Sequence, residues 1–251
     1  MEPIETTPRR YARSPLSEAV CEFRFVPSRD WDWTIPGLAY SKLGTAYPEK
    51  RQVGSLQISL APESGVLAQQ LSAIDRIQFL GDGQKSLVQL GPDLLAVNRL
   101  APYSGWPAFA VTIREALAVY VDIANPVSLA RVGLRYINRF EIPETSVDMD
   151  DYFRAQPRLP AEIPQEFGLF AMTVDVSYQT AMMRFSLAQI PSESPTLSYV
   201  CDLDFNAAGD DAPSFDGVAA WLTEAHSRVE SAFVATFTDK THREVFGLLD
   251  E

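Results

Sequence analysis

Two segments of this chain alternate with a period of two, and both carry their charge on one side. In a β-strand successive side chains point to opposite faces of the sheet. Read as a strand, 131–139 sets Arg131, Arg135 and Arg139 on one face, and 17–25 does the same with Glu18, Glu22 and Arg24. An arginine stripe is costly to bury unless something negative meets it. Two arrangements satisfy that requirement. In the first, the strands are neighbours, and Glu18 and Glu22 face Arg131 and Arg135 as cross-strand pairs of about 0.2–1 kcal/mol each. In the second, Arg135 and Arg139 present bidentate forks to a carboxylate or phosphate. Arg131, Arg135, Arg139, Glu18 and Glu22 would then line a small anionic-ligand or nucleotide site. Tyr136 and Asn138 point the other way. If that side is the core, the Asn138 amide needs a buried partner.

Length and charge set wider bounds. With 251 residues, 46 % of them hydrophobic, the chain can bury on the order of 70–75 % of its unfolded surface. Folding then requires neither a disulfide nor a metal. Cys21 and Cys201 lie in apolar strand-like runs and read as small buried hydrophobes, and no Cys/His spacing suggests zinc. The amino terminus lacks the apolar core of a signal peptide, and no run approaches the roughly 18 apolar residues of a membrane span; a cytoplasmic location is expected. The formal net charge of −12 repels phosphate backbones, which argues against nucleic acid as a partner. It suits a basic protein.

Residues 1–14 are polar, carry prolines and are expected to be flexible; 15–251 reads as a single α+β domain. Strands are expected at 16–25, 52–60, 76–80, 86–90, 94–100 and 130–140, and helices at 38–46 and 107–123. Asp82-Gly83 between two β-prone runs is a hairpin signal. Phe109, Ile113, Ala116, Leu117, Tyr120 and Val121 recur at helical spacing. A second series follows, with a short helix at 148–153, strands at 170–178, 182–189 and 196–205, and a helix at 215–236. Strand, strand, strand, helix thus occurs twice, which suggests pseudo-repeat halves 15–143 and 148–251. Runs of strands broken by single helices favour a mostly antiparallel sheet with helices packed on one face.

Other features carry less. Asp202 and Asp204 share one face of their strand; with no third oxygen ligand they suit a solvated face, or the arginines, better than a divalent cation. There is no GxSxG, HExxH or glycine-rich phosphate loop, and His226 and His242 stand without a recognisable nucleophile. No catalytic residue, metal or cofactor is assigned, and the reading leans away from an enzyme. Thr238 with Asp239 reads as a turn or a helix cap. Trp31, Trp33, Tyr40, Tyr47 and Trp106 fall in or near connecting segments, where they either cover an end of the sheet or form a protein-binding patch.

Four stretches together resemble a known family: Pro15-Leu16-Ser17-Glu18-Ala19-Val20-Cys21-Glu22-Phe23-Arg24-Phe25, then Tyr47-Pro48, then Arg131-Val132-Gly133-Leu134-Arg135-Tyr136-Ile137-Asn138-Arg139, and finally Leu222-Thr223-Glu224-Ala225-His226 with Phe233, Thr238-Asp239 and Phe246. The family is a set of sporadically distributed bacterial proteins of about this length. The resemblance runs over nearly the whole chain, and Leu134-Arg135-Tyr136-Ile137-Asn138 is its most specific part. It implies no activity, because the family has none assigned. Its patchy distribution implies a mobile-element, defence or toxin-control setting. The expectation is a bacterial protein-interaction module, with anionic-ligand binding as the alternative.

Overall fold

The computed structural model describes residues 9–60, 67–165, 168–192 and 195–249. The first half contains β1 (Leu16–Val26), α1 (Thr34–Leu43), β2 (Glu49–Leu60), β3 (Leu67–Gly81), β4 (Ser86–Gly91), β5 (Leu94–Leu100) and α2 (Trp106–Ala124). The second contains β6 (Ser128–Ile142), α3 (Met149–Tyr152), β7 (Ala171–Ser177), β8 (Met182–Ile190), β9 (Leu197–Ala208) and α4 (Val218–Thr236). A 3-10 turn at Gly209–Asp211 and a π-helical turn at Thr241–Val245 flank α4.

All nine strands join one sheet in the order β2-β3-β4-β5-β1-β6-β9-β8-β7, and every pairing is antiparallel. The chain takes a similar course twice. β1 opens at the centre, a hairpin series returns from one edge until β5 reaches β1, and α2 follows. β6 opens beside β1, a second series returns from the other edge until β9 reaches β6, and α4 follows. This is an α+β fold built on an antiparallel sheet. Among the described residues no helix is long and apolar enough to cross a membrane.

One face of the sheet holds the core. On β1, Ala19, Cys21, Phe23 and Phe25 are buried while Glu18, Val20, Glu22 and Arg24 are half-buried on the other face. α2 and α4 cover the core face and touch each other, and α1 leans on α2. Tyr120 of α2 stacks on Phe25 at 4.3 Å. Leu222, Ala225, Val229 and Phe233 of α4 are buried at helical spacing. Cys21 and Cys201 are free and buried, and burial pushes both thiols upward. Asn138 is buried on this face, and its amide donates to the Cys201 carbonyl at 3.2 Å.

Two expectations are corrected. α1 begins at Thr34 rather than 38, because Asp32 accepts the Thr34 N–H at 2.8 Å and Pro36 fits the first turn, where an amide proton has no helical partner. Residues 9–14, expected to be flexible with the rest of 1–14, are tied to the carboxy-terminal segment. The Ala12 and Arg13 amides donate to Gly247 and Phe246 at 2.9 Å each, and Tyr11 bridges Leu248.

The aromatics of the connecting segments mostly turn inward. Tyr47 is buried, Tyr40 packs on Phe79 at 5.3 Å, and Trp106 lies over His226. Trp33 stays exposed beside Trp31.

Candidate functional site

The face opposite the helices carries a polar row that crosses the sheet nearly from edge to edge. β1 and β6 are neighbours, and Glu22 lies opposite Gly133. From that diagonal position Glu22 receives Arg131 at 3.4 Å and Arg24 at 3.1 Å. Arg131 extends across Gly133 and also reaches Asp204 of β9 at 3.0 Å. A Cβ on residue 133 would lie 2.8 Å from the Arg131 guanidinium, so a side chain there would push that flexible group aside. Arg135 forms a two-pronged pair with Asp202, with Nε donating at 2.8 Å. Farther out, Arg184 of β8 makes a second two-pronged pair with Asp175 of β7, both contacts at 2.8 Å.

Carboxamides continue the row toward the other edge. Gln78 donates to Gln89 at 2.8 Å, Gln89 to Asn98 at 2.8 Å, and Asn98 to Glu18 at 2.7 Å. Each residue sits on a different strand, so the relay ties β3, β4, β5 and β1 together. Glu18 therefore takes an amide rather than an arginine. The register that runs unbroken from Glu18 to Arg24 sets Glu18 opposite Ile137 and Val20 opposite Arg135.

Electrostatics follow from this packing. Burial pushes the Asp204 carboxyl above its ordinary value, although Arg131 and Arg135 pull it down. Desolvation wins because Asp204 is only 24 % exposed. The hydrogen bond to Asp202 raises Arg135, and the Arg184 pair lowers exposed Asp175.

Of the five residues singled out in the sequence, the structure brings Arg131 and Glu22 into direct contact. It gives Arg135 to Asp202 and Glu18 to Asn98, and it separates Arg139. Arg139 is exposed and makes no ion pair among the described residues. It lines an open cleft of about 570 Å³ with Glu141, Ser192, Ser198 and Tyr199. Glu141 accepts from Thr196 at 3.0 Å and from Ser198 at 3.5 Å. The amide relay and the Asp175–Arg184 pair were missed by sequence reasoning. The relay's signal was a single carboxamide within an apolar run, Gln89 in β4 and Asn98 in β5.

A second polar cluster lies within the core, between the amino end of α2 and α4. Tyr136 on β6 contacts the Tyr103 hydroxyl at 3.1 Å and His226 Nδ1 at 3.0 Å. Trp106 stacks on the imidazole at 4.4 Å. The inner contacts are consistent if Tyr103 donates to Tyr136 and Tyr136 donates to Nδ1, which places the imidazole proton on Nε2. Glu230 stands 3.7 Å from Nε2, too far for a hydrogen bond. Burial therefore dominates and holds His226 at about 4, as the neutral imidazole. The Tyr103 phenol is pushed up to about 12 by the same cause. His242 repeats the pattern: its Nε2 donates to the Val234 carbonyl at 3.1 Å and its Nδ1 accepts from Tyr11 at 2.9 Å. These histidines tie elements of the core together, closed off from any cleft described above. No protein-family model matches this chain, and comparison with curated proteins finds no significant match.

Proposed function

We propose that this protein is a protein-interaction module of the bacterial cytoplasm, and that the helix-free face of its sheet is the contact surface. One observation carries the reading: the ion pairs, braced by the buried Gln89–Asn98 relay, hold a mosaic of alternating sign in fixed positions on the face opposite the helices. Side chains already immobilised lose little entropy on binding, and a fixed charge pattern selects a partner by complementarity. The overall charge of −12 favours a partner that is basic on average. The resemblance to sporadically distributed bacterial proteins supports a defence or toxin-control setting.

The test exchanges Arg135 and Asp202, as Arg135→Asp with Asp202→Arg. The swap keeps an ion pair within the sheet and inverts the sign of two positions on its surface. Wild-type protein used as bait at about 0.15 M salt is expected to retain a specific partner. The swapped protein is expected to melt like wild type and lose that partner. An empty capture, or equal retention by both proteins, overturns the proposal.

A second reading rests on Arg139 alone, the arginine of the stripe that pairs with no carboxylate among the described residues. The cleft sets this guanidinium beside the Glu141 carboxylate and two serines, and the guanidinium is the group in it that suits a small anion. Inorganic phosphate is then expected to raise the melting temperature of wild type and leave Arg139→Ala unmoved. Equal shifts in the two proteins dismiss this reading.

A further inference from the structure

β7 closes one edge of the sheet. Six of its seven residues are exposed, and only Met172 is half-buried. Among the described residues its one sheet neighbour is β8. Val174 and Val176 are 46 % and 42 % exposed, on the side of the sheet where the helices lie, since Val176 pairs with buried Met183.

The direction of its backbone groups follows from the ends of the hairpin. The Tyr178 amide donates to Ala181 at 2.8 Å, and the Gln189 amide donates to Phe170 at 3.0 Å. In an antiparallel pair, hydrogen-bonded and non-hydrogen-bonded residues alternate. With the observed register, Met172, Val174 and Val176 turn their N–H and C=O toward β8. Ala171, Thr173, Asp175 and Ser177 turn theirs outward, as an open row of donors and acceptors.

Such an edge invites another strand. The described part of the opposite edge, in β2, is guarded by exposed Glu49, Lys50 and Arg51. β7 has one charge, Asp175, and Arg184 already neutralises it with two hydrogen bonds. The sequence Ala171-Met172-Thr173-Val174-Asp175-Val176-Ser177 is also self-complementary about its middle residue. A second copy laid antiparallel and centred on Val174 would match every outward residue with an outward residue. Thr173 would meet Asp175, Ala171 would meet Ser177, and no two like charges would face each other. On the helix side Met172, Val174 and Val176 of each copy would form one apolar row, with the two Val174 side chains at the symmetry axis.

We propose that β7 is a self-association edge, through which two copies of this chain join their sheets about a two-fold axis at Val174. The inference does not rest on the contact face proposed above. A heterologous strand would not need this symmetry, which is why a second copy is the occupant.

The test is sedimentation velocity of the full chain from micromolar to hundreds of micromolar, with hydrogen exchange at both ends of the range. A dimer is expected at high concentration. It should strengthen with added salt, because the two copies repel at long range and salt screens that repulsion. Its formation should slow exchange at the outward amides of Thr173, Asp175 and Ser177. Val174→Lys places two ammonium groups at the axis and is expected to weaken the dimer at least about tenfold. The circular dichroism spectrum should stay unchanged, since the side chain is half exposed. A monomer at every concentration overturns the proposal. So does a dimer indifferent to Val174→Lys, or one that protects amides elsewhere and leaves those of β7 unchanged.

Discussion

Arg131→Met is expected to lower stability by about 2–3 kcal/mol near neutral pH, somewhat less than the loss of one partner from a fully buried ion pair. Arg131 is the only cation that touches both Glu22 and Asp204 among the described residues, and its side chain is 27 % exposed. Without it Asp204 faces Asp202 and Glu22 in a site that already raises its pKa by burial. The sign of the pH dependence follows. A carboxyl whose folded pKa lies above its unfolded value destabilises the fold when ionised, and the penalty fades as pH falls through the folded pKa. The deficit of the variant is therefore expected to be largest near pH 7 and to shrink toward pH 5. Urea denaturation at the two pH values measures it. An equal deficit at both would mean that lost packing of the arginine stem, rather than an unpaired carboxylate, is the cause.

Acidification of the wild type should reveal His226. Its folded pKa of about 4 against an ordinary 6.5 means that the unfolded chain takes the proton first. The contribution of the neutral imidazole is complete above pH 6.5 and is lost as pH falls toward 4. Its full size is about 3 kcal/mol, because each tenfold change in proton affinity between the two states is worth about 1.4 kcal/mol. His242 is displaced in the same direction by burial. Glu230 and Asp204 oppose both at the acid end, because burial raises their carboxyls and the folded state then binds protons more readily. Stability measured by urea denaturation between pH 7 and pH 5 should fall, and His226→Gln should flatten that slope while lowering stability at pH 7. An unchanged slope in the variant would assign the acid sensitivity elsewhere.

The strands bearing the arginine stripe were legible because alternation is local. Glu18, Glu22 and Arg24 share a face in the sequence and in the fold, and so do Arg131, Arg135 and Arg139. The Asp-Gly hairpin was legible for the same reason, and Asp82 and Gly83 both take positive φ in the turn. The start of α1 was misplaced because Pro36-Gly37 looks like a break, whereas proline is tolerated in the first turn that Asp32 helps set by accepting the Thr34 amide.

What alternation cannot supply is strand order and register. The choice of Asp202, Asp204 and Asn98 as partners depends on β9 and β5 arriving beside β6 and β1 from distant parts of the chain. It also depends on the β1–β6 register, which places Val20 rather than Glu18 opposite Arg135. The Tyr136–His226 contact joins residues ninety positions apart, and no local pattern records it. By itself the sequence determined which residues share a face and therefore that charge would line one side of a sheet. The tertiary structure alone decided which charge meets which, set Arg139 apart in an open cleft and placed β7 at the sheet's edge, because pairing across strands depends on contacts between segments that are remote in the chain.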